Sequence, residues 1–85
     1  MPSRRPNKLL LLGRPDCHLC EEFEQELRAH PAASRVELAH GDVDSRNGWR
    51  AEYGLRIPVL LGDDGTLICE TRFDGAALER YLGGA

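Results

Sequence analysis

The sequence predicts a mixed α/β domain of order β-α-β-α-β-β-α, closing as one four-stranded mixed sheet with helices on both faces. Three observations carry that reading. Leu9 to Leu12 is an apolar run followed at once by a helical pattern. Val36, Leu38 and His40 alternate with Arg35, Glu37 and Ala39, the period-two signature of a strand. Ile57 to Leu61 joins Thr66 to Glu70 through Asp63-Asp64-Gly65, which reads as a hairpin. At 85 residues the chain has room for one domain with one modest core.

Taken in order, Lys8 to Leu12 is a strand buried on both faces, because consecutive leucines leave no polar side for water. Gly13-Arg14-Pro15-Asp16 breaks it. A helix then runs from about His18 to His30, with Leu19, Phe23 and Leu27 on its apolar face, glutamates elsewhere and Pro31 as its stop. Gly41-Asp42 ends the second strand. Asp44 or Ser45 is expected to cap a second helix that reaches Tyr53, with Trp49 and Tyr53 one turn apart and Gly54 as its end. A last helix starts near Asp74, presents Leu78, Tyr81 and Leu82, and stops at Gly83-Gly84. Residues 1–7 are expected to be a disordered basic tail and residues 8–83 the folded domain.

Composition narrows function. The formal charge is −3, but Arg4, Arg5 and Lys8 supply three of the eleven basic groups, so residues 9–85 carry eight against fourteen acidic groups. A nucleic-acid partner is not expected. No stretch approaches the twenty or so apolar residues of a membrane span, so a soluble, cytoplasmic monomer is expected. Three cysteines is an odd count with two of them close together, which argues against a secreted disulfide scaffold and for a reducing compartment.

Cys17-His18-Leu19-Cys20 falls at the junction of the first strand and first helix. Two cysteines at this spacing can close a disulfide across one turn, and free N–H groups at a helix start favour a thiolate. The thiolate is the form that attacks disulfides. Cys17 precedes the first full turn, whereas Cys20 lies three residues before Phe23, toward the apolar side. From the residues alone, redox chemistry leads, with metal or cluster binding and an inert pair as alternatives. His30 and His40 have no ligand spacing relative to the pair, so no mononuclear metal site is expected. Cys69 reads as a small buried hydrophobe in a strand.

The element order, the C-x-x-C at the first strand-helix junction and Pro58 opening the third strand together resemble the thioredoxin superfamily, over about residues 8 to 83. Chain length and the lack of extra elements make it similar to a glutaredoxin. The resemblance implies a thioredoxin-like fold, a nucleophilic, exposed Cys17 and a more buried, resolving Cys20. It also implies a basic residue at Arg14 supporting the thiolate. His18 stands where dithiol glutaredoxins usually have proline, and as imidazolium it would stabilise that thiolate. In the superfamily the bond before the proline matching Pro58 is cis and faces the active cysteine, so the backbone of Ile57 is expected to pair with an extended substrate. Many glutaredoxins have a glycine pair and an acid where Thr71-Arg72 and Asp74 stand, a region that holds the carboxylate end of glutathione. Asp74 matches the acid and reads equally as a helix N-cap. Arg72 is expected to meet a carboxylate by charge.

The expected function is therefore a glutaredoxin-like thiol-disulfide oxidoreductase working through Cys17 and Cys20 on protein disulfides or glutathione mixed disulfides. Its reductant would be glutathione or a thioredoxin reductase, and no tightly bound cofactor is expected, glutathione serving as a co-substrate. Two alternatives stand beside it: an iron-sulfur or metal-binding module using Cys17, and a non-catalytic interaction protein on the same fold.

Overall fold

Strand β1 (Asn7–Gly13) is the spine of the molecule: Leu9, Leu11 and Leu12 are buried, so apolar side chains leave both of its faces. The structure is a computed structural model and describes residues 6–83. The expected basic tail falls largely outside those residues, but Asn7 belongs to β1, where its side-chain amide donates to the Arg35 carbonyl at 3.2 Å.

Helix α1 (His18–Ala29) returns the chain to β2 (Val36–Asp42), which pairs parallel to β1 in the register Leu11 with His40 and Gly13 with Asp42. Helix α2 (Asn47–Tyr53) follows, then the antiparallel strands β3 (Val59–Gly62) and β4 (Leu67–Glu70), and last α3 (Gly75–Tyr81). The sheet order is β2-β1-β3-β4, with β3 antiparallel to both its neighbours. This is the mixed four-stranded α/β architecture of a thioredoxin-like fold.

Alternation along the central strands divides the core into two layers. On one face Leu9, Leu11 and Leu60 pack with Phe23 and Leu27 of α1 and Leu78 of α3. On the other, Leu12, Val59 and Leu61 pack with Val43, flanked by Trp49 and Tyr53 of α2. Helices thus cover both faces, and the cysteine-bearing helix lies on the same side as α3.

Two local readings change. Leu19 is not on the buried stripe: it is 43% exposed, because α1 seats only Phe23 and Leu27 on the sheet. Asp44 and Ser45 do not cap α2. Residues Val43–Ser45 form a 3-10 turn capped by the Asp42 carboxylate, and α2 begins after Arg46 without a side-chain cap. His30 ends α1 and also opens the next turn, its Nδ1 accepting the Ala32 N–H at 3.0 Å.

Candidate redox site

Cys17 is the N-cap of α1, in extended backbone, and its Sγ accepts the Cys20 N–H at 3.2 Å. The two sulfurs stand at disulfide-bonding distance, with the Cα atoms 5.2 Å apart. Both cysteines are half-buried rather than one exposed and one hidden. A cap position is where a thiolate gains most from unpaired N–H groups and the helix dipole. Gly13 makes room for the second sulfur: a Cβ at that position would meet Cys20 Sγ at 2.9 Å and its Cβ at 3.3 Å. The β1 glycine is therefore a close-approach residue, a role that a strand-ending glycine does not advertise in sequence.

A cleft of about 390 Å³ opens beside the pair. It is lined by the loop carrying Arg14 and Asp16, by Cys17, Cys20, Glu21 and Glu24 of α1, and by the end of β2 from His40 to Asp42. Arg14 lies in its wall with its charge already engaged. Its Nε and Nη2 donate to the two oxygens of Asp44 at 2.7 and 3.1 Å, and Nη1 donates to the Gly54 carbonyl at 2.8 Å. The hydrogen bond to Asp44 raises the Arg14 pKa, and the same bond holds the Asp44 carboxyl below its usual range. Arg14 thus ties the cysteine loop to the segment around α2.

Glu24 lies one turn beyond Cys20 on α1 and accepts from His40 Nε2 at 2.8 Å and Arg28 Nε at 2.8 Å. Partial burial opposes ionisation of Glu24, but the hydrogen bonds from His40 and Arg28 outweigh it, so its pKa is lowered. His18, by contrast, is outside the cleft. It is 80% exposed and turned along α1, with Nε2 2.8 Å from a Glu22 oxygen.

The remaining expected residues belong to the β3-β4-α3 half and do not line this cleft. The Ile57–Pro58 bond is cis, Pro58 is buried, and its carbonyl accepts the Thr71 N–H. Ile57 packs at the edge of the core layer under α2. Arg56 holds this corner through Glu70 at 2.6 Å and Glu52 at 3.1 Å. Asp74 is the N-cap of α3, accepting the Ala77 N–H at 3.1 Å, while Arg72 is exposed. Thr71 has φ +68°, a left-handed conformation that favours glycine. Cys69 is half-buried against the α1–α3 core layer, and burial pushes its thiol pKa up.

Among the described residues no group of three or more His, Cys, Asp and Glu side chains is arranged to hold a metal ion, and no helix is long and apolar enough to cross a membrane. Sequence reasoning placed Cys17 at the cap but missed Gly13, Glu24 and His40. The spacing of Glu24 four residues after Cys20 was available as a signal. Its meeting with His40 depends on the β1–β2 register and was not.

Comparison with known proteins agrees with this fold. Residues 8–83 match the family model described as Glutaredoxin-like domain (DUF836). A protein of Nitrosomonas europaea, solved by NMR in solution, superposes with a TM-score of 0.83 at 30% identity, over 95% of this chain and 96% of that one. A protein of X. campestris, solved by X-ray crystallography, superposes with a TM-score of 0.67 at 32% identity, over 91% of this chain and 97% of that one. No curated protein matches.

Proposed function

Because the chain belongs to the glutaredoxin-like domain family, a group within the thioredoxin superfamily, we propose that it is a dithiol oxidoreductase acting on protein disulfides or glutathione mixed disulfides. The observation that carries this reading is the Cys17–Cys20 pair itself, capped on the N-terminus of α1 with its sulfurs at disulfide-bonding distance. A redox role for the pair follows from that placement on this fold.

In the reduced protein the Cys17 thiolate is stabilised by the Cys20 N–H and by the start of the helix. It attacks one sulfur of the substrate disulfide, forming a mixed disulfide and expelling the first thiolate. Cys20, one turn away, then attacks Cys17 Sγ, closes the intramolecular disulfide and expels the second thiolate. The substrate gains two electrons and the pair loses two. A thiol reductant, glutathione or a dithiol reductase, returns the pair to its reduced state. The cleft on the Cys20 side carries the carboxylates of Asp16, Glu21, Glu24 and Asp42, and Arg14 is held by Asp44, so the anionic ends of glutathione find no free cation there. This favours a protein disulfide as the first substrate.

The test is reduction of a neutral disulfide such as hydroxyethyl disulfide by wild-type, Cys17→Ser and Cys20→Ser proteins. Cys17→Ser is expected to lose all activity, and Cys20→Ser to stop at the mixed disulfide, visible by mass. Undiminished reduction by Cys17→Ser would overturn the assignment.

A further inference from the structure

Closing the disulfide requires the Cys20 thiol to lose its proton while Cys17 is tied up in the mixed disulfide, and that proton needs an acceptor. One face of the fold supplies it. Strand alternation puts Leu9, Leu11 and Gly13 on the side of β1 that faces α1, and the parallel register sets His40 beside Leu11 and Asp42 beside Gly13. Cys20 Sγ rests over Gly13, so the thiol lies two residues along the ladder from the His40 pair. From the helix side, Glu24 follows Cys20 by four residues, roughly 6 Å along the same face. His40 reaches up from β2 and meets Glu24 at 2.8 Å, and all of Cys17, Cys20, Glu24 and His40 line one cleft.

The hydrogen bond fixes the chemistry of the histidine. An ionised carboxylate only accepts, so His40 Nε2 carries the proton shared with Glu24, and in the neutral imidazole Nδ1 is the acceptor. Glu24 is itself held ionised by Arg28 as well as His40, which makes it a poor base but a good counter-charge for an imidazolium. Arg14 is engaged with Asp44 and cannot compete for Glu24. The other charged groups facing this part of the cleft are Glu21 of α1, Asp42 of β2 and Asp16 of the loop, all acidic and all favourable to a transient positive charge.

We propose that His40 is the proton acceptor for Cys20 in the resolving step, working directly or through one water in the cleft, with Glu24 as its positioning residue. This rests on the dithiol reading above. In the step, the Cys20 S–H proton passes to His40 Nδ1 as the Cys20 sulfur bonds to Cys17 Sγ. The bond from Cys17 to the substrate sulfur breaks, its electron pair leaves on the substrate thiolate, and that thiolate recovers the proton from His40.

The test separates the two attacks with 4,4'-dithiodipyridine, a neutral disulfide whose released thiopyridone absorbs, on full-length reduced protein carrying Cys69→Ala. Attack by Cys17 releases the first equivalent and attack by Cys20 the second. His40→Gln keeps a donor for Glu24 but has no titrating nitrogen. It is expected to slow the second phase about 100-fold at neutral pH, to remove the imidazole limb from that phase's pH profile, and to leave the first phase within about twofold. Glu24→Gln is expected to slow the second phase less and to add no further loss when combined with His40→Gln. In His40→Ala, added imidazole should restore the second phase. An unchanged second phase in His40→Gln, or equal loss of both phases without rescue by imidazole, would overturn the proposal while leaving the dithiol reading intact. Release of only one equivalent by wild-type protein would instead sink the dithiol reading.

Discussion

The two halves of this domain spend their polar groups differently. Around the β1–α1 junction, the sulfur pair, Glu24 and His40 converge on an open cleft, and His40 Nδ1 meets no hydrogen-bond partner among the described residues. In the β3-β4-α3 half, Asp74 is used by the Ala77 N–H, Arg56 by Glu70 and Glu52, and the Pro58 carbonyl by the Thr71 N–H. The second region spends these groups in holding a turn, a cap and a corner and leaves Arg72 exposed, while the first directs its sulfurs, Glu24 and His40 toward the cleft. The cysteine pair therefore sits beside an open cleft, whereas Pro58, Glu70 and Asp74 are tied into local structure.

The aromatic contact between Phe23 and Phe73, edge to face with centroids 5.6 Å apart, joins the two halves. Phe23 is 1% exposed on the buried face of the cysteine helix, so Phe23→Ala is the largest expected disruption, costing about 3–5 kcal/mol of stability by urea unfolding. In a domain of this size that is a large share of the whole. If the halves are coupled through this contact, near-neutral behaviour of Phe23→Ala would break the comparison.

Gly13→Ala sharpens it from the reactive side. The added methyl must displace Cys20 Sγ, with an expected cost of about 1–3 kcal/mol by the same measurement. The closing of the Cys17–Cys20 bond should slow about tenfold or more, because attack geometry tolerates little misplacement. The scaffold side should respond in the opposite sense. Thr71→Gly relieves a left-handed β-branched residue and is expected to add about 0.5–1 kcal/mol, with no change in either thiol step.

The smallest effect concerns acid. Asp44 has a folded pKa below its ordinary 3.8, so the stability it contributes is complete above that value and is lost as pH falls through the folded pKa. Arg14→Ala removes the partner that causes the shift. Thermal unfolding between pH 5 and 2 should therefore fall less steeply in the variant than in wild type.

Much of this was legible in the chain. The leucine run, the alternation in β2 and the hairpin turn gave element order and topology, because core burial enforces their periods. The cap position of Cys17 followed from its place before the first helical turn. Boundaries at α2 were not legible: Asp42, rather than Asp44 or Ser45, took the cap once a 3-10 turn intervened, a local competition among adjacent acidic and hydroxyl residues. The exposure of Leu19 was not legible either, since its spacing matches that of Phe23 and Leu27 but only those two residues of α1 are buried. The engagement of Arg14 with Asp44 and of Glu24 with His40 depends on contacts 30 and 16 residues apart. Only the parallel register of β1 and β2 and the seating of α2 bring them together.

The most direct test is a redox titration of the full chain in glutathione buffers, with each species identified by mass spectrometry. A single two-electron couple is expected, whose oxidised form carries an intramolecular Cys17–Cys20 disulfide and a free Cys69. Accumulation of stable glutathione adducts with no Cys17–Cys20 bond at any potential would contradict it.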